Sequence, residues 1–510
     1  MLSCHTVRLD VGITLTHQGG HPWFDGPVTA PHTWLLKPYA IPAPPVLDDD
    51  QLAVVEPGTG VKVVVGGPGT GKTATLVAAV VARLRAGGTL DRLVVLAASR
   101  QGAQELRRQI IWQRGGAEMG ARITTIHGFA LGLLRDLGDF GQDLRLLRAP
   151  EQEQRLRDLL EGEGPEAWPE AVQVAAGTRA FARQLREVLA RARQLGLDPE
   201  HIIELAGDDD VLQAVGRFFE LYLTIADFDG ALDYTELVHR ARLLLSDEAV
   251  ASACRARFDA IIVDDVQELD QVGAQLLADL ALRGIPLLCF GDPQQRLGSF
   301  RGASGESLRT LRTLPGAETR MLQTGYRNQE AITGALSQLR RRLDARDAAP
   351  SPSAAPGAGS RVTVTIYDDA GSEVSHLADR LRAAVLEDGC SWGELAVVAR
   401  SGRNQLTPLS RELTSRGIPV EVAGDEIALG TQRAVQVLLA GLEGALALGQ
   451  LDEEQATQLL SSPLGGVDAV AQRQLVRSLM AAGGERGLGV HLVRPELLAT
   501  IPGPEAEAVA

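Results

Sequence analysis

The chain has 510 residues, of which 45% are hydrophobic and only 4% aromatic, a composition typical of α/β proteins with several domains. Its formal net charge of −15 repels nucleic acid, so any nucleic-acid site has to be a local basic groove. The sequence has no apolar run of about eighteen residues, no secretory leader, and no cysteine spacing typical of a zinc or disulfide framework. We therefore expect a cytoplasmic protein without a membrane partner.

Short apolar segments alternate with helical segments in much of the chain. The apolar segments typical of buried strands are 61–65, 93–97, 260–263 and 286–290, and a helical pattern over 73–84 follows the first of them. Strands that are apolar along their whole length are buried on both faces, as in a parallel sheet covered by helices. The sequence therefore predicts an α/β fold whose parallel sheet domain consists of residues 46–130 and 234–343.

The remaining segments are assigned by their period or composition. Residues 131–233 show helical spacing without a strand pattern, which predicts a helical insertion in the sheet domain. The other predicted segments are an irregular extension over 1–45, a Pro-, Ala-, Gly- and Ser-rich linker over 344–360, a partial second α/β domain over 361–440 and the start of a helical domain over 441–510. Within the partial domain we predict strands over 362–366 and 395–399 and a helix over 374–386.

An arginine-rich helical face lies within the predicted insertion. It consists of Arg179, Arg183, Arg186 and Arg193. Such a face can contact a phosphate backbone, but the glutamates nearby favour a solvated surface with local ion pairs. We therefore predict no site there.

The most specific motif has the pattern GxxxxGKT and falls directly between the first predicted strand and the helix that follows. Its residues are Gly66, Gly67, Pro68, Gly69, Thr70, Gly71, Lys72 and Thr73. Glycines allow backbone N–H groups to surround a phosphate, the lysine reaches the β- and γ-phosphate oxygens, and the threonine hydroxyl binds Mg²⁺. The motif predicts a nucleoside triphosphate site with Mg²⁺, the metal being held by Thr73 and by an acid from another strand.

Two carboxylates follow the predicted strand over 260–263. Asp264 is placed to bind Mg²⁺, and Asp265 to polarise the attacking water, as the acids at the end of such a strand do in P-loop proteins. On its own, an apolar run that ends in Asp-Asp is more often a simple strand exit. Downstream of the phosphate loop the catalytic interpretation is favoured.

The order of these motifs resembles that of the UvrD-like superfamily 1 DNA helicases, from about residue 47 to residue 436. The matching segments are Gln51, Thr-Ile-His-Gly-Phe at 125–129, Leu-Asp-Tyr-Thr-Glu-Leu at 232–237, Val-Asp-Asp-Val-Gln-Glu at 263–268, Phe-Gly-Asp-Pro-Gln-Gln at 290–295, Phe-Arg-Gly-Ala at 300–303 and Gln323 with Tyr326 and Arg327. The resemblance implies a RecA-like first domain and part of a second, separated by a linker. It also implies an ATP-driven 3′-to-5′ translocase on single-stranded DNA or DNA ends, acting in repair or recombination.

The resemblance also implies roles for individual residues. Gln51 would bind adenine and Tyr326 would stack on it, while Arg327 would contact the γ-phosphate as an arginine finger. Gln295 would sense the same phosphate. The implied DNA contacts are His127, Phe300, which would stack against a nucleobase, and Arg301.

The sequence departs from the family pattern at several positions. Asp265 stands where the family has the longer glutamate, and Ala98 and Gly298 replace two aromatic residues. Nothing after Gln436 resembles the last two helicase motifs, so we expect a chain that stops before the motor is complete. The stretch 459–477 resembles actinobacterial helicase–nuclease subunits of the AdnA type.

Three hypotheses therefore stay open. The first is the DNA motor itself. The second is a subunit that binds nucleotide and DNA but hydrolyses ATP poorly, as a scaffold for a second helicase–nuclease subunit. A P-loop ATPase unrelated to nucleic acid is the third, and the segments at 125–129 and 300–303 disfavour it.

Overall fold

The computed structural model consists of two compact units, Met1–Val362 and Thr363–Ala510. The residues it describes are 44–114, 122–138, 144–298, 302–303, 305–343, 348–357, 359–422, 435, 437–439, 441–442, 453–462 and 465–481. Two of the predicted DNA contacts, Phe300 and Arg301, lie outside these residues, as does most of the predicted extension over 1–45.

A six-stranded sheet forms the centre of the first unit. Its strands, in chain order, are β1 (Val61–Gly66), β2 (Leu93–Leu96), β3 (Arg122–Thr124), β6 (Ala260–Val263), β7 (Leu287–Gly291) and β8 (Glu318–Leu322). The order across the sheet is β3-β2-β6-β7-β1-β8, and every neighbouring pair is parallel. The predicted α/β fold with a parallel sheet is confirmed.

Helices cover both faces of this sheet. The α-helices in the described part of the first unit, including those outside the sheet domain, are α1 (Asp49–Val55), α2 (Lys72–Arg85), α3 (Arg100–Arg114), α4 (Ile126–Leu137), α5 (Ala149–Glu163), α6 (Glu170–Ala176), α7 (Arg179–Gln194), α8 (Pro199–Ala206), α9 (Asp210–Phe228), α10 (Tyr234–Leu244), α11 (Glu248–Arg257), α12 (Gln271–Leu282), α13 (Glu306–Arg312) and α14 (Glu330–Arg340). Successive residues of β1 face opposite sides, so that Val63 and Val65 belong to one core cluster and Val64 to the other. This double burial explains why β1 is apolar except at Lys62, which is half-buried.

A helical subdomain interrupts the sheet between α4 and α10. It has its own core, in which Trp168 packs against Phe181 and Phe218 while Phe219 and Tyr222 are buried beside them. Its helical elements, α5 to α9, are bracketed by a two-stranded parallel ladder of β4 (Arg145–Leu146) and β5 (Ala231–Leu232), which the helical spacing did not predict.

One member of the arginine-rich face, Arg193, is buried rather than solvated. Its Nε donates to Glu236 Oε2 at 2.5 Å, and its Nη1 pairs with Asp198. Glu236 lies on α10, so this ion pair ties α7 of the helical subdomain to the sheet domain. The prediction of a fully solvated face was wrong at this position because the acidic partner is 43 residues away in sequence.

The proline-rich segment predicted as a linker packs on the first unit. Residues 348–357 run beside residues 323–328, with Ser353 N donating to Gln323 O at 3.0 Å and Ala355 N to Asn328 O at 2.8 Å. Ala349 belongs to the core cluster. We call residues 348–357 the strap, since they cross the chain segment that leads out of β8.

The second unit contains α15 (Ala370–Leu386), α16 (Thr407–Ser415) and the helices Glu453–Leu460 and Ala469–Ala481. A small core joins Ala378 of α15 to Leu413 and Ile418. The predicted helix over 374–386 is present, but the described residues 362–366 and 395–399 form no strand. An apolar segment becomes a strand only beside a hydrogen-bonded neighbour, which these two segments do not have in the described part of the unit.

Among the described residues of the chain, no helix is both long and apolar enough to span a bilayer.

Candidate nucleotide-binding site

The phosphate loop joins the carboxyl end of β1 to α2. Gly69 and Gly71 have φ angles of 81° and 80°, a left-handed conformation that residues with a Cβ avoid. A Cβ on Gly71 would also lie 2.6 Å from Gln51 Nε2. The glycines of the motif are therefore required by the shape of the loop, which ends at the positive N-terminus of α2.

Lys72 begins α2 and folds back over the loop. Its Nζ donates to Gly66 O at 2.9 Å and to Gly67 O at 3.2 Å. Burial lowers the pKa of this ammonium, and Asp292, Asp265 and Asp264 oppose that shift. The lysine thus lies inside the loop, facing the acids that end β6 and β7.

Asp264 reaches the start of α2 from the end of β6. Its Oδ2 accepts a hydrogen bond of 2.9 Å from Thr73 Oγ1. Burial, and next the charge of Asp265, raise the pKa of Asp264 to about 6. A buried carboxylate that resists ionisation is stabilised by a cation, and Thr73 and Asp264 are the two oxygens that the motifs predicted as metal ligands.

Asp265 adopts φ 50° and ψ 50°, the one left-handed conformation among the described residues other than glycine. Gln267 Nε2 donates to Asp265 Oδ1 at 3.0 Å, and Gln267 Oε1 accepts from Asp292 N at 3.0 Å. This conformation costs on the order of 1 kcal/mol outside glycine, and such strain concentrates at functional sites. Gln267 therefore sets the orientation of the predicted catalytic acid, a role that the sequence pattern did not reveal.

Gln51 and Tyr326 both lie beside Gly71. Gln51 is buried and donates from Nε2 to Thr70 O at 3.1 Å, while its Oε1 accepts from Asp48 N. The Tyr326 hydroxyl donates to Asp48, and Tyr326 is 45% exposed. The two residues predicted to contact adenine thus meet through Asp48, the N-cap of α1.

Arg327 follows Tyr326 directly beside the phosphate loop. Tyr326 N donates to Gly69 O at 2.9 Å, and a Cβ on Gly69 would lie 3.0 Å from Arg327 Cβ. The side chain of Arg327 is exposed. The chain that leaves β8 is therefore fixed against the loop by a backbone hydrogen bond, which places the predicted arginine finger at its edge.

Gln295 follows β7 in the next loop of the sheet. Its Nε2 donates to Asp292 Oδ2 at 2.8 Å, and Asp292 is fully buried. Since β6, β7 and β1 are neighbours in a parallel sheet, their carboxyl ends place Asp264, Asp292 and Lys72 at one edge.

A second cluster lies at the carboxyl end of β3. The His127 and Tyr234 rings pack edge to face with centroids 5.9 Å apart, and Arg100 Nη2 donates to the Tyr234 hydroxyl at 3.3 Å. Burial lowers the pKa of His127, which favours the neutral ring. Tyr234 is 40% exposed, so an aromatic face is available here although Ala98 lacks one. Tyr234 belongs to the motif at 232–237, but the family resemblance implied no role for it.

Gly298, the other position without its expected aromatic ring, is buried against Glu268. The Glu268 carboxylate accepts from Leu297 N at 2.7 Å and from Gly298 N at 2.8 Å. A Cβ at Gly298 would lie 2.7 Å from Glu268 Oε2. A larger residue would therefore require this carboxylate to move.

A family comparison connects this geometry with known proteins. The family model of the UvrD/REP helicase N-terminal domain matches residues 47–313, which is more than half of the chain. The chain belongs to the UvrD/REP helicase family. The matched range contains the phosphate loop, both acids of β6, the helical subdomain and Gln295, so the predicted resemblance is confirmed over these segments.

Individual relatives agree with this assignment. The chain is 28% identical over 302 residues to DNA helicase II of Escherichia coli and 27% identical over 301 residues to DNA helicase II of Salmonella typhimurium, covering 58% of this chain and 40% of each relative. It is 26% identical over 421 residues to the ATP-dependent DNA helicase UvrD2 of Mycobacterium tuberculosis, covering 77% of this chain and 57% of that protein. The chain thus spans about two fifths of the length of the first relatives and somewhat more than half of the third.

Proposed function

We propose that this UvrD/REP family chain is an ATP-dependent 3′-to-5′ motor module that moves on single-stranded DNA during repair or recombination. The observation that carries the proposal is the convergence of Lys72, the Thr73–Asp264 pair and the Tyr326–Arg327 segment on one phosphate loop. The direction of movement follows the family resemblance.

The loop fits MgATP. Thr73 Oγ1 and Asp264 Oδ2 are 2.9 Å apart, about the separation of adjacent oxygens in an octahedral Mg²⁺ shell with bonds of about 2.1 Å. No group of three or more His, Cys, Asp or Glu side chains is placed to hold a metal among the described residues, so phosphate and water oxygens would complete the shell. Bound Mg²⁺ would neutralise charge on the phosphates.

The remaining residues would then act on the nucleotide directly. Lys72 would exchange its two carbonyl partners for phosphate oxygens, and Asp265 would orient the attacking water. Gln295 and Arg327 would contact the γ-phosphate. Tyr326 would leave Asp48 to stack on adenine, which Gln51 would bind through its amide edge.

The cluster of His127, Tyr234 and Arg100 supports DNA binding at the other end of the sheet edge. A half-exposed aromatic ring offers a stacking surface for a nucleobase, and an exposed arginine offers a phosphate contact. Such a pair binds single strands without reading their sequence.

A second candidate is a scaffold subunit that binds nucleotide and DNA but hydrolyses ATP slowly. The specific observation is that Asp265 is both one methylene shorter than glutamate and held by Gln267, which limits its reach towards a water molecule. The partner would be a second helicase–nuclease subunit, as in the AdnA type.

ATP turnover with and without single-stranded DNA tests these candidates. The motor predicts turnover that single-stranded DNA raises, whereas the scaffold predicts tight nucleotide binding with weak turnover that DNA leaves unchanged. Binding and turnover should both be lost in Lys72→Ala. Asp265→Glu should raise turnover several-fold if side-chain length limits hydrolysis, whereas the exposed control Asp208→Glu should not. Robust DNA-stimulated turnover in the wild type would contradict the scaffold, and nucleotide binding that survives in Lys72→Ala would contradict both candidates.

A further inference from the structure

Arg340 is a buried cation that no motif includes. It is the last residue of α14, the helix that follows Tyr326 and Arg327, and only 7% of it is exposed. Arginine is rarely buried without a partner of opposite charge. The partner here is Asp292, in the loop that carries Gln295.

Asp292 holds both Arg340 and Gln295 on one oxygen. Arg340 Nη1 donates to Asp292 Oδ2 at 2.6 Å, and Gln295 Nε2 donates to the same Oδ2 at 2.8 Å. The other oxygen, Oδ1, accepts from Gln294 N at 3.0 Å. Both oxygens of Asp292 therefore accept hydrogen bonds that fix the carboxylate in place. Arg340 holds this carboxylate, and the carboxylate in turn orients the amide of Gln295.

Two further contacts hold Arg340 itself. Its Nη2 donates to Ala349 O of the strap at 3.0 Å, and its backbone oxygen accepts from Gln294 Nε2 at 3.1 Å. Pro352 of the strap lies over the phosphate loop, since a Cβ on Gly67 would be 2.8 Å from its Cδ. The guanidinium thus joins α14, the strap and the Gln295 loop around the phosphate site.

We propose that Arg340 is a positioning residue for γ-phosphate sensing, because it fixes Asp292 and thereby the amide of Gln295. This inference rests on the proposed function, in which Gln295 contacts the γ-phosphate. The planar guanidinium is needed, since its two nitrogens bind acceptors from different segments and an ammonium on a lysine cannot reproduce that fork.

The affinity ratio between a non-hydrolysable ATP analogue and ADP, both with Mg²⁺ and measured by calorimetry, tests the inference. A merely structural role would weaken both nucleotides alike, whereas a positioning role weakens only the triphosphate. We expect Arg340→Gln and Gln295→Ala each to lower the ratio about tenfold, the effect of one hydrogen bond to a charged group. The double variant should match the Gln295→Ala single variant, because both changes act through one amide.

Arg341→Gln is the matched control, since Arg341 is the next residue and is exposed. Its ratio should equal that of the wild type. If Arg340→Gln does not fold, Arg340→Lys is measured in the same way, and we expect the ratio to fall about threefold because one of the two contacts is lost. A wild-type ratio in the Arg340 variant that folds, or additive losses in the double variant, would overturn the inference. Failure of the wild-type chain to bind either nucleotide would instead overturn the proposed function.

Discussion

Apolar segments form buried strands beside the phosphate loop, at what we call the phosphate edge of the first unit, whereas similar described segments of the second unit form no strand. At the phosphate edge, apolar strands are buried on both faces, and the polar groups at their ends are bonded to one another. In the described part of the second unit, the core around Ala378 is small, and Val364, Ile366 and Val398 are 85%, 92% and 91% exposed. Apolar sequence thus produces a strand only where neighbouring strands exist, and buried polar groups are tolerated only where partners surround them.

The largest difference in loss of stability is expected between substitutions of two arginines, one in each unit. Arg193→Ala would remove both ion pairs of this buried guanidinium and leave the buried Glu236 with Arg240 as its remaining partner, at a cost of about 3–5 kcal/mol. Arg382→Ala in the second unit removes a surface pair with Asp379 and a hydrogen bond to the backbone at the end of α16, together worth about 1–2 kcal/mol. Amide hydrogen exchange in α7 and in α15 measures the two losses separately. Equal losses would contradict the contrast between the units.

Two isoleucines test the same contrast for apolar contacts. Ile262 in β6 is fully buried, so Ile262→Ala should destabilise the first unit by about 2–5 kcal/mol. Ile366→Ala should change stability by less than about 0.5 kcal/mol, because its side chain lies in solvent. Denaturant titration followed by hydrogen exchange checks both values. A large loss in Ile366→Ala would mean that this segment is buried in solution.

Asp270, the N-cap of α12, and Asp369, the N-cap of α15, are expected to change the stability of their units with pH in opposite directions. Burial raises the pKa of Asp270 to about 6, whereas hydrogen bonds from Ser372 hold the pKa of the exposed Asp369 below its ordinary value. The folded first unit therefore binds a proton at Asp270 more tightly than the unfolded chain does. Its stability falls as pH rises from about 4 to about 6 and stays lower above that range.

Asp270→Asn keeps the acceptor for Gly273 N and removes the buried charge. We expect it to stabilise the first unit by about 1–3 kcal/mol at pH 8, with no gain near pH 4. Asp369→Asn should instead lose stability at neutral pH, and the loss should disappear in acid. Thermal melts from pH 4 to pH 8 measure both trends. If both variants are more stable than the wild type at pH 8, the two pKa values are not shifted in opposite directions.

The smallest effect on stability and nucleotide affinity is expected for the loss of the Tyr326 hydroxyl. Tyr326→Phe removes an exposed hydrogen bond to Asp48, worth less than about 1 kcal/mol, and keeps the ring for stacking. Nucleotide affinity should therefore change by less than about threefold, whereas Tyr326→Ala should lower it by about tenfold or more. If the two variants lose affinity equally, the hydroxyl rather than the ring is the functional group. Phe228→Ala, which removes an exposed aromatic ring on α9, is the control.

The accuracy of the sequence predictions depended on how strongly burial shaped each segment. β2, β6 and β7 are apolar and fully buried, as is β1 except at Lys62, and the predicted bounds of all four differ from the observed ones by one residue at most. The edge strands β3 and β8 were not predicted, because each has one neighbour and carries polar residues such as Arg122 and Glu318.

The candidate site was predictable to the same extent. Lys72, Thr73, Asp264 and Tyr326 belong to motifs whose local spacing is imposed by the phosphate loop and by strand ends, and the fold brings them together. The hydrogen bonds of Gln267 and the edge-to-face contact of Tyr234 with His127 were not predicted. Their partners depend on how separate loops meet, which no local pattern records.

The sequence by itself determined the positions of the phosphate loop, the β6 acids and the buried strands, since each is encoded within a few consecutive residues. Only the tertiary structure decided that Arg193 is buried, that the strap lies over the phosphate loop and that Arg340 shares Asp292 with Gln295. Arg340 and Asp292 are separated by 48 residues, and a single charge pair at such a distance leaves no periodic trace in the chain. Local sequence patterns determine where the motifs and strands lie along the chain, and the packing of distant segments determines which side chains come into contact.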